Sequence, residues 1–315
     1  MLGVDKEDTK MERMWSQYVQ SSEELYRSRA LRFRADNKHE WLNAMKIKDG
    51  MMVLELGCGG GIFCHRIKEY LPNTTVTGLD RDAGHMEYAV AKSNELGIDC
   101  NFIVGDVLAL PFDDRSFDAC TSHTVVEHVP TSQFLSEQHR VLKPGGIVSV
   151  QSVRTSCSIT PENWKPDVSE ESELLKKAWE KAGNFDKENG IAAYPIDESQ
   201  LPAALDKAGF KDISVNFIAP VRYAPDNADI SDELAIEMIN VNRIHALSSM
   251  YKALNIAPDG LTAAEAMRLE ALINQRFDVR VDMYLRGEKL WDVATGVVMV
   301  ATGYKYDEAG CKTTQ

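Results

Sequence analysis

Three carboxylates sit where apolar, strand-like runs end. Glu55 lies inside Val53-Leu54-Glu55-Leu56, which passes directly into Gly57-Cys58-Gly59-Gly60-Gly61. Asp80 closes Thr77-Gly78-Leu79-Asp80, and Asp106 stands between Gly105 and Val107. A second group, His123, Glu127 and His128, falls within Thr121-Ser122-His123-Thr124-Val125-Val126-Glu127-His128. Carboxylates accept hydrogen bonds from hydroxyl and amino groups, and imidazoles donate or accept according to tautomer. Glycine costs backbone entropy wherever it sits, so a cluster this dense implies a turn lying too close to a ligand to tolerate Cβ atoms.

Alternating elements would present these groups. The spacing predicts strands at 52–56, 75–79, 101–104, 117–121, 146–151, 213–218 and 296–303. Helices are expected at 62–70, 84–96, 132–142, 199–208, 232–254 and from Thr262 towards Leu285. Thr262 with Glu265 reads as a capping box, Ser231 as an N-cap, and Pro258-Asp259-Gly260 as the turn between the two last helices. Residues 8–46 read as helices, with Met11, Met14, Trp15 and Tyr18 at helical spacing and a second helix ending near Trp41 and Met45. Strands alternating with helices imply an α/β fold with a parallel sheet covered on both faces. The chain divides into an N-terminal helical cap (1–50), a core (51–152), an irregular insertion with a helix and the sixth strand (153–222), a helical lid insertion (223–292), the last strand (293–306) and a tail (307–315).

In such sheets the ligand lies beyond the carboxyl ends of the strands, and the helix starting at Ile62 points its free N–H groups there. Dinucleotide oxidoreductases and S-adenosylmethionine (SAM) enzymes share this geometry. The dinucleotide fingerprint G-x-G-x-x-G fails, because Ile62 or Cys64 occupies its last position. Asp80 can accept from both ribose hydroxyls of either ligand. Asp106 can accept from an adenine amino group, for which a nicotinamide dinucleotide has no counterpart there.

With these motifs the chain resembles the class I SAM-dependent methyltransferases. Glu55–Gly61 is similar to their first motif, Leu79-Asp80 to the ribose acid and Gly105-Asp106-Val107 to the adenine turn. Leu110-Pro111-Phe112 with Ser116-Phe117-Asp118, and Arg140-Val141-Leu142-Lys143-Pro144-Gly145-Gly146, resemble the approaches to the fourth and fifth strands. The resemblance spans about residues 50–152 and is nearest to the small-molecule branch of ubiquinone and menaquinone biosynthesis methyltransferases. It implies a Rossmann-like, seven-stranded sheet with an antiparallel last strand.

The resemblance also implies SAM as cofactor and S-adenosylhomocysteine (SAH) as product. Gly57, Cys58, Gly59 and Gly61 would cradle the methionine part, and Glu55 would reach its amino group. Asp80 would hold the ribose, Asp106 and Val107 the adenine, and Arg81 would stack on the adenine ring. Trp15 and Tyr18 would close over the cofactor. His123, Glu127 and His128 are the candidates on the acceptor side, His123 as base or cofactor contact; Glu127-His128 is similar to a pair in lipid cyclopropane synthases. Alternatives are therefore a SAM-dependent ring-forming or aminocarboxypropyl-transferring enzyme, and a non-catalytic SAM-binding subunit.

Neither a Pro-Pro-aromatic motif after the fourth strand nor a Pro-Cys nucleophile is present, which favours a small acceptor, apolar or aromatic. Arg154, Arg243, Arg268, Arg276, Arg280 and Arg286 could form a fork for an acceptor anion. Met238, Met250, Met267 and Met283 could line an adaptable pocket. The net charge of −13 argues against a nucleic-acid partner. The six cysteines form no C-x-x-C pair and the seven histidines are scattered, so no metal site is expected. No apolar run reaches the length of a membrane span and the N-terminus lacks a secretory pattern, which makes a cytoplasmic location the expectation. A homodimer remains open.

Overall fold

The computed structural model describes residues 14–160 and 163–307, so Met11 lies outside the described residues. Among the described residues three helices come first: α1 (Met14–Tyr18), α2 (Ser22–Ala30) and α3 (Lys38–Met45). The core follows as β1 (Met52–Leu56), α4 (Ile62–Tyr70), β2 (Thr75–Asp80), α5 (Ala83–Leu96), β3 (Asn101–Val104), β4 (Phe117–His123), a 3-10 turn (Val126–His128), α6 (Thr131–Val141) and β5 (Leu142–Ile159). Then come α7 (Ser169–Ala182), α8 (Phe185–Glu188), α9 (Gln200–Lys207), β6 (Lys211–Ile218), β7 (Val221–Tyr223), α10 (Asp232–Ile256), α11 (Ala263–Leu285) and β8 (Ala294–Tyr304).

The sheet order is β3-β2-β1-β4-β5-β8-β6, with β8 antiparallel to both its neighbours and the first five strands parallel. This is the Rossmann-like arrangement expected, with two differences. A short eighth strand, β7, continues along β8 after β6. Pro220 lies in the gap between them, where its missing N–H cannot join the ladder, so one long edge strand becomes two. The fifth strand also runs far beyond residue 151. Arg154 pairs with Val297 and Ile159 with Thr295, so seven residues read as irregular are held extended by β8. Their polar composition reflects exposure rather than disorder.

Val53, Ile62, Phe63, Val76 and Ala119 belong to the apolar layer on one sheet face, joined by Phe33, Trp41 and Met45 from the N-terminal segment. Leu54, Leu56, Leu79, Phe134 and Leu142 fill the other. The alternation Val53/Leu54 sends consecutive side chains into opposite layers, as a strand covered on both faces requires. α7, α10 and α11 share a separate core that includes Ile239, Met250, Leu269, Ile273 and Phe277. Ser231 and Thr262 cap these helices as read from the sequence, Thr262 and Glu265 forming the reciprocal capping box.

Asp82 fixes the N-terminal segment to this frame. It is buried, and its Oδ1 accepts from the His85 N–H at 3.0 Å, capping α5. Its Oδ2 accepts from the N–H groups of Trp15 and Ser16 at 2.9 and 3.0 Å, capping α1 as well. One carboxylate thus satisfies donors at two helix starts. Asp82→Ala should cost about 2–4 kcal/mol in chemical denaturation, from a lost cap and orphaned amides. It should also abolish hydrogen-exchange protection at Trp15 and Ser16; a loss below about 0.5 kcal/mol with protection retained would contradict this bracing role.

Candidate active site

β1 and β2 end side by side, and their ends are stitched together before any ligand arrives. The N–H groups of Gly57 and Cys58 donate to the Leu79 carbonyl at 2.7 and 3.1 Å. The Asp80 carboxylate accepts from the Gly59 N–H and the Asp82 N–H, both at 2.9 Å. That leaves lone pairs on both oxygens, which a pair of vicinal hydroxyls would use. Gly57 and Gly59 hold φ of 64° and 52°, in the left-handed region. A Cβ on Gly57 would fall 2.4 Å from Val125, and one on Gly59 2.2 Å from Leu25 of α2. The glycines are therefore required first by close protein packing above the turn. Gly61 faces Phe102 and Ala89 and starts α4; it does not line the cavity.

Above this turn lies a cavity of about 640 Å³, inside the range of about 300–1,000 Å³ typical of small-molecule sites. Its lining brings together Glu55, Gly57, Cys58, Gly59, Asp80, Arg81, Asp106, Val107, His123 and His128. Asp106 is exposed, with Oδ1 taking the Leu108 N–H at 2.9 Å, and Val107 is buried beside it. Glu55 is buried and its Oε2 accepts from the Cys64 thiol at 2.9 Å. Burial pushes its pKa up to about 8 and pushes the Cys58 thiol up to about 11. A neutral thiol and a carboxyl kept dry suit a site that gains a cation. These groups fit SAM: a fixed acid for a ribose, an exposed acid for an amino group, and a buried carboxyl for an ammonium.

Tyr18 is corrected by the structure. Its ring stacks on Phe185 at 5.7 Å and it does not line the cavity, because α1 turns that face towards α8. Trp15 lines it instead, with the Arg81 guanidinium 5.8 Å from its ring and His128 edge-on at 4.7 Å. Glu127 is also turned away: its Oε1 accepts from Ser152, whose hydroxyl in turn accepts from Arg154. His128 accepts the Ala192 N–H on Nδ1 at 2.9 Å, so its remaining hydrogen sits on Nε2. Burial, with Arg81 adding repulsion, lowers its pKa to about 4. That bond and Tyr194 N–H to the Glu127 carbonyl seat residues 190–194 as a wall of the cavity.

His123 is the cavity imidazole whose buried Nε2 lacks a partner. The whole side chain is buried, with Phe63 4.7 Å from its ring. Burial, then Arg32 and Arg29, drive its pKa well below the usual value, so it stays neutral. The remaining walls are mostly apolar, including Val19, Leu25, Ile62, Phe63, Val125 and Val129, with Gln20, Arg29, His85 and Thr124 as their polar members.

The second insertion does not reach this cavity, and no described residue of 223–292 lines it. Met238 and Met250 are core residues and Met267 is exposed, so the methionine-pocket expectation fails. The arginine fork fails too. Arg268 pairs with Glu170, Arg276 with Glu171, Arg243 with Asp278 and Arg286 with Glu288, all within 2.9 Å. Arg280 is fully buried, 3.7 Å from Asp226, and Arg154 is held by the Ile196 carbonyl. The cavity's guanidinium on the acceptor-facing helices is Arg29, which sequence reasoning missed. Its signal was the run Arg27-Ser28-Arg29-Ala30-Leu31-Arg32, which carries no mark of which arginine lacks a partner.

Comparison with known proteins agrees with this geometry. The family described as "Methyltransferase domain" matches residues 53–146. The chain is 36% identical over 123 residues to a sterol 24-C-methyltransferase of Gibberella zeae, covering 37% of this chain and 31% of that protein. It is 31% identical over 112 residues to a ubiquinone biosynthesis O-methyltransferase of Brucella anthropi, covering 35% and 44%. The chain spans 29% to 66% of the length of the first four curated relatives it matches. A phosphoethanolamine N-methyltransferase of Haemonchus contortus, solved with SAM, shares the fold at 15% identity and a TM-score of 0.51, covering 97% of this chain and 61% of that one. With its sheet order, glycine turn and two strand-end acids, the segment 53–146 is a methyltransferase domain similar to those of the class I SAM-dependent enzymes.

Proposed function

We propose that this protein transfers the methyl group of SAM to a small-molecule acceptor seated between His123, Phe63 and the wall formed by residues 190–194. One observation carries the reading: a single cavity joins the strand-end acids to a largely apolar chamber walled in part by a neutral imidazole whose buried Nε2 has no hydrogen-bond partner. The bound cofactor supplies an electrophilic methyl on a sulfonium, transferred by in-line displacement. The protein's tasks are then orientation and exclusion of water. Asp80 and Asp106 fix the nucleoside end. Trp15, Val125 and the 190–194 wall enclose the reacting end. His123 Nε2 orients an acceptor hydroxyl or amine and receives its proton if one is lost. His128, with Nδ1 already occupied, can only donate.

Because Glu127 is turned from the cavity and bound to Ser152, the structure offers no support for the ring-forming alternative. Incubation with SAM and an acceptor panel separates the remaining outcomes. Methyl transfer yields SAH and a product heavier by one CH₂, aminocarboxypropyl transfer yields methylthioadenosine, and a non-catalytic subunit binds SAH without turnover. The first result is expected, and either of the others overturns the proposal.

Two measurements probe the roles of named groups. Glu55 is protonated in the free protein below its raised pKa of about 8, whereas an ammonium partner needs the carboxylate. SAH binding should therefore release a proton and tighten as pH rises from about 6 to 8, levelling off above. Calorimetry in buffers of different ionisation heat should show this release, and Glu55→Gln should abolish it; no release in the wild type would exclude the role.

His123→Asn should lower kcat by about 10²-fold while SAH affinity changes less than about two-fold. Since His123 titrates well below the usual histidine range, kcat/KM should show no acid limb near pH 6.5. Such a limb, lost in His123→Asn, would show that the imidazole is not held neutral.

A further inference from the structure

Arg29, Arg32 and Arg222 form a group of cations for which the protein supplies too few anions. Arg29 lines the cavity, and its Nη1 donates to the neighbouring Ser28 hydroxyl at 3.3 Å. Arg32 Nη1 and Arg222 Nε are buried with no hydrogen-bond partner. Arg29 and Arg32 come from the end of α2 and the turn beyond it, and Arg222 from β7; Arg34 Nη1 of that turn donates to the Val221 carbonyl at 2.9 Å, so two segments distant in sequence meet. Burial comes first for each; at Arg29 the attraction of Glu24 opposes it before Arg222 adds repulsion, and Arg29 and Arg222 both add repulsion on Arg32.

The nearby carboxylate is Glu24, and its Oε1 is already engaged. It accepts from His245 Nδ1 at 2.7 Å and from Gln20 Nε2 at 2.9 Å. The other arginine of this helix, Arg27, is bound to Glu237 and Glu23. Unpaired buried charge is expensive, and a chain with a net charge of −13 has acids to spare for pairing. The ion pairs of Arg243, Arg268 and Arg276 on α10 and α11 show that spare acids are used elsewhere. The methionyl carboxylate of the cofactor could neutralise one guanidinium, which still leaves the group in excess.

We propose that the acceptor carries a carboxylate or phosphate group, and that Arg29 receives it at the cavity wall beside His123, with Arg32 and Arg222 adding positive charge from behind that wall. This rests on the methyltransferase reading and adds the chemical class of its acceptor. Guanidinium forks match the planar or tetrahedral oxygens of such anions bidentately. Beside the apolar walls of Phe63, Ile62 and Val125, the subsite suits a molecule with an acidic end and a hydrophobic body.

Octanoate, octyl phosphate and octanol, equal in chain length, serve as probes in calorimetric titration of the free and the SAH-loaded protein. One of the two anions should bind the SAH-loaded protein about ten-fold or more tightly than octanol, and the stronger identifies carboxylate or phosphate. Arg222→Gln should remove that preference while leaving octanol and SAH affinities within about two-fold; Arg29→Lys, which keeps charge but not the fork, should lose part of it.

Equal binding of anions and octanol would overturn the subsite. So would anion binding to the free protein that SAH displaces, since the guanidiniums would then serve the cofactor's own carboxylate. Unaltered anion preference in Arg222→Gln, with native circular dichroism, would exclude that residue's part. SAH affinity of the wild type is read before any anion is added, so failure of the cofactor assignment is seen separately.

Discussion

The Asp80 carboxylate is the constraint on which the site depends. By accepting from the Gly59 and Asp82 amides it ties the turn after β1 to the end of β2, across the α4 crossover. Asp82, placed by that contact, grips the start of α1 and so brings Trp15 over the cavity. Trp15 meets His128, and His128 holds residue 192 of the far wall. A ligand arriving at Asp80 therefore meets a binding surface already assembled by backbone amides, with little ordering left to do.

The cavity is also polarised. Glu55, Asp80 and Asp106 belong to strand ends of the sheet, whereas Arg29 comes from the helical segment above it. A zwitterionic, cationic cofactor suits the acids. The same burial acts with opposite sign on the two kinds of group, raising Glu55 and lowering Arg29, His123 and His128. Each is thereby biased towards its neutral form until a partner of opposite charge arrives. His123, bordered by guanidiniums, stays unprotonated without any carboxylate to orient it.

The sheet was legible because glycine turns, strand-end acids and alternating apolar runs are local signals. Parts that depend on partners distant in sequence were not. The extension of β5 through the polar residues 153–159 exists because β8 pairs with it, and β7 exists because Pro220 interrupts an edge. Tyr18 and Trp15 share a short helix, and only the docking of that helix decides which ring enters the cavity. Glu127 looked catalytic from its neighbours, yet Ser152, itself held by Arg154, donates to it. The lid arginines looked free because their acids, such as Glu170 and Glu171, lie about a hundred residues away.

The most direct measurement of the central claim is calorimetric titration of SAH and of NAD into the wild type and Asp80→Ala. SAH should bind the wild type with one site, NAD should not, and Asp80→Ala should weaken SAH by about thirty-fold or more through lost charge-assisted hydrogen bonds. Binding of NAD in place of SAH, or SAH affinity indifferent to Asp80, would contradict the account.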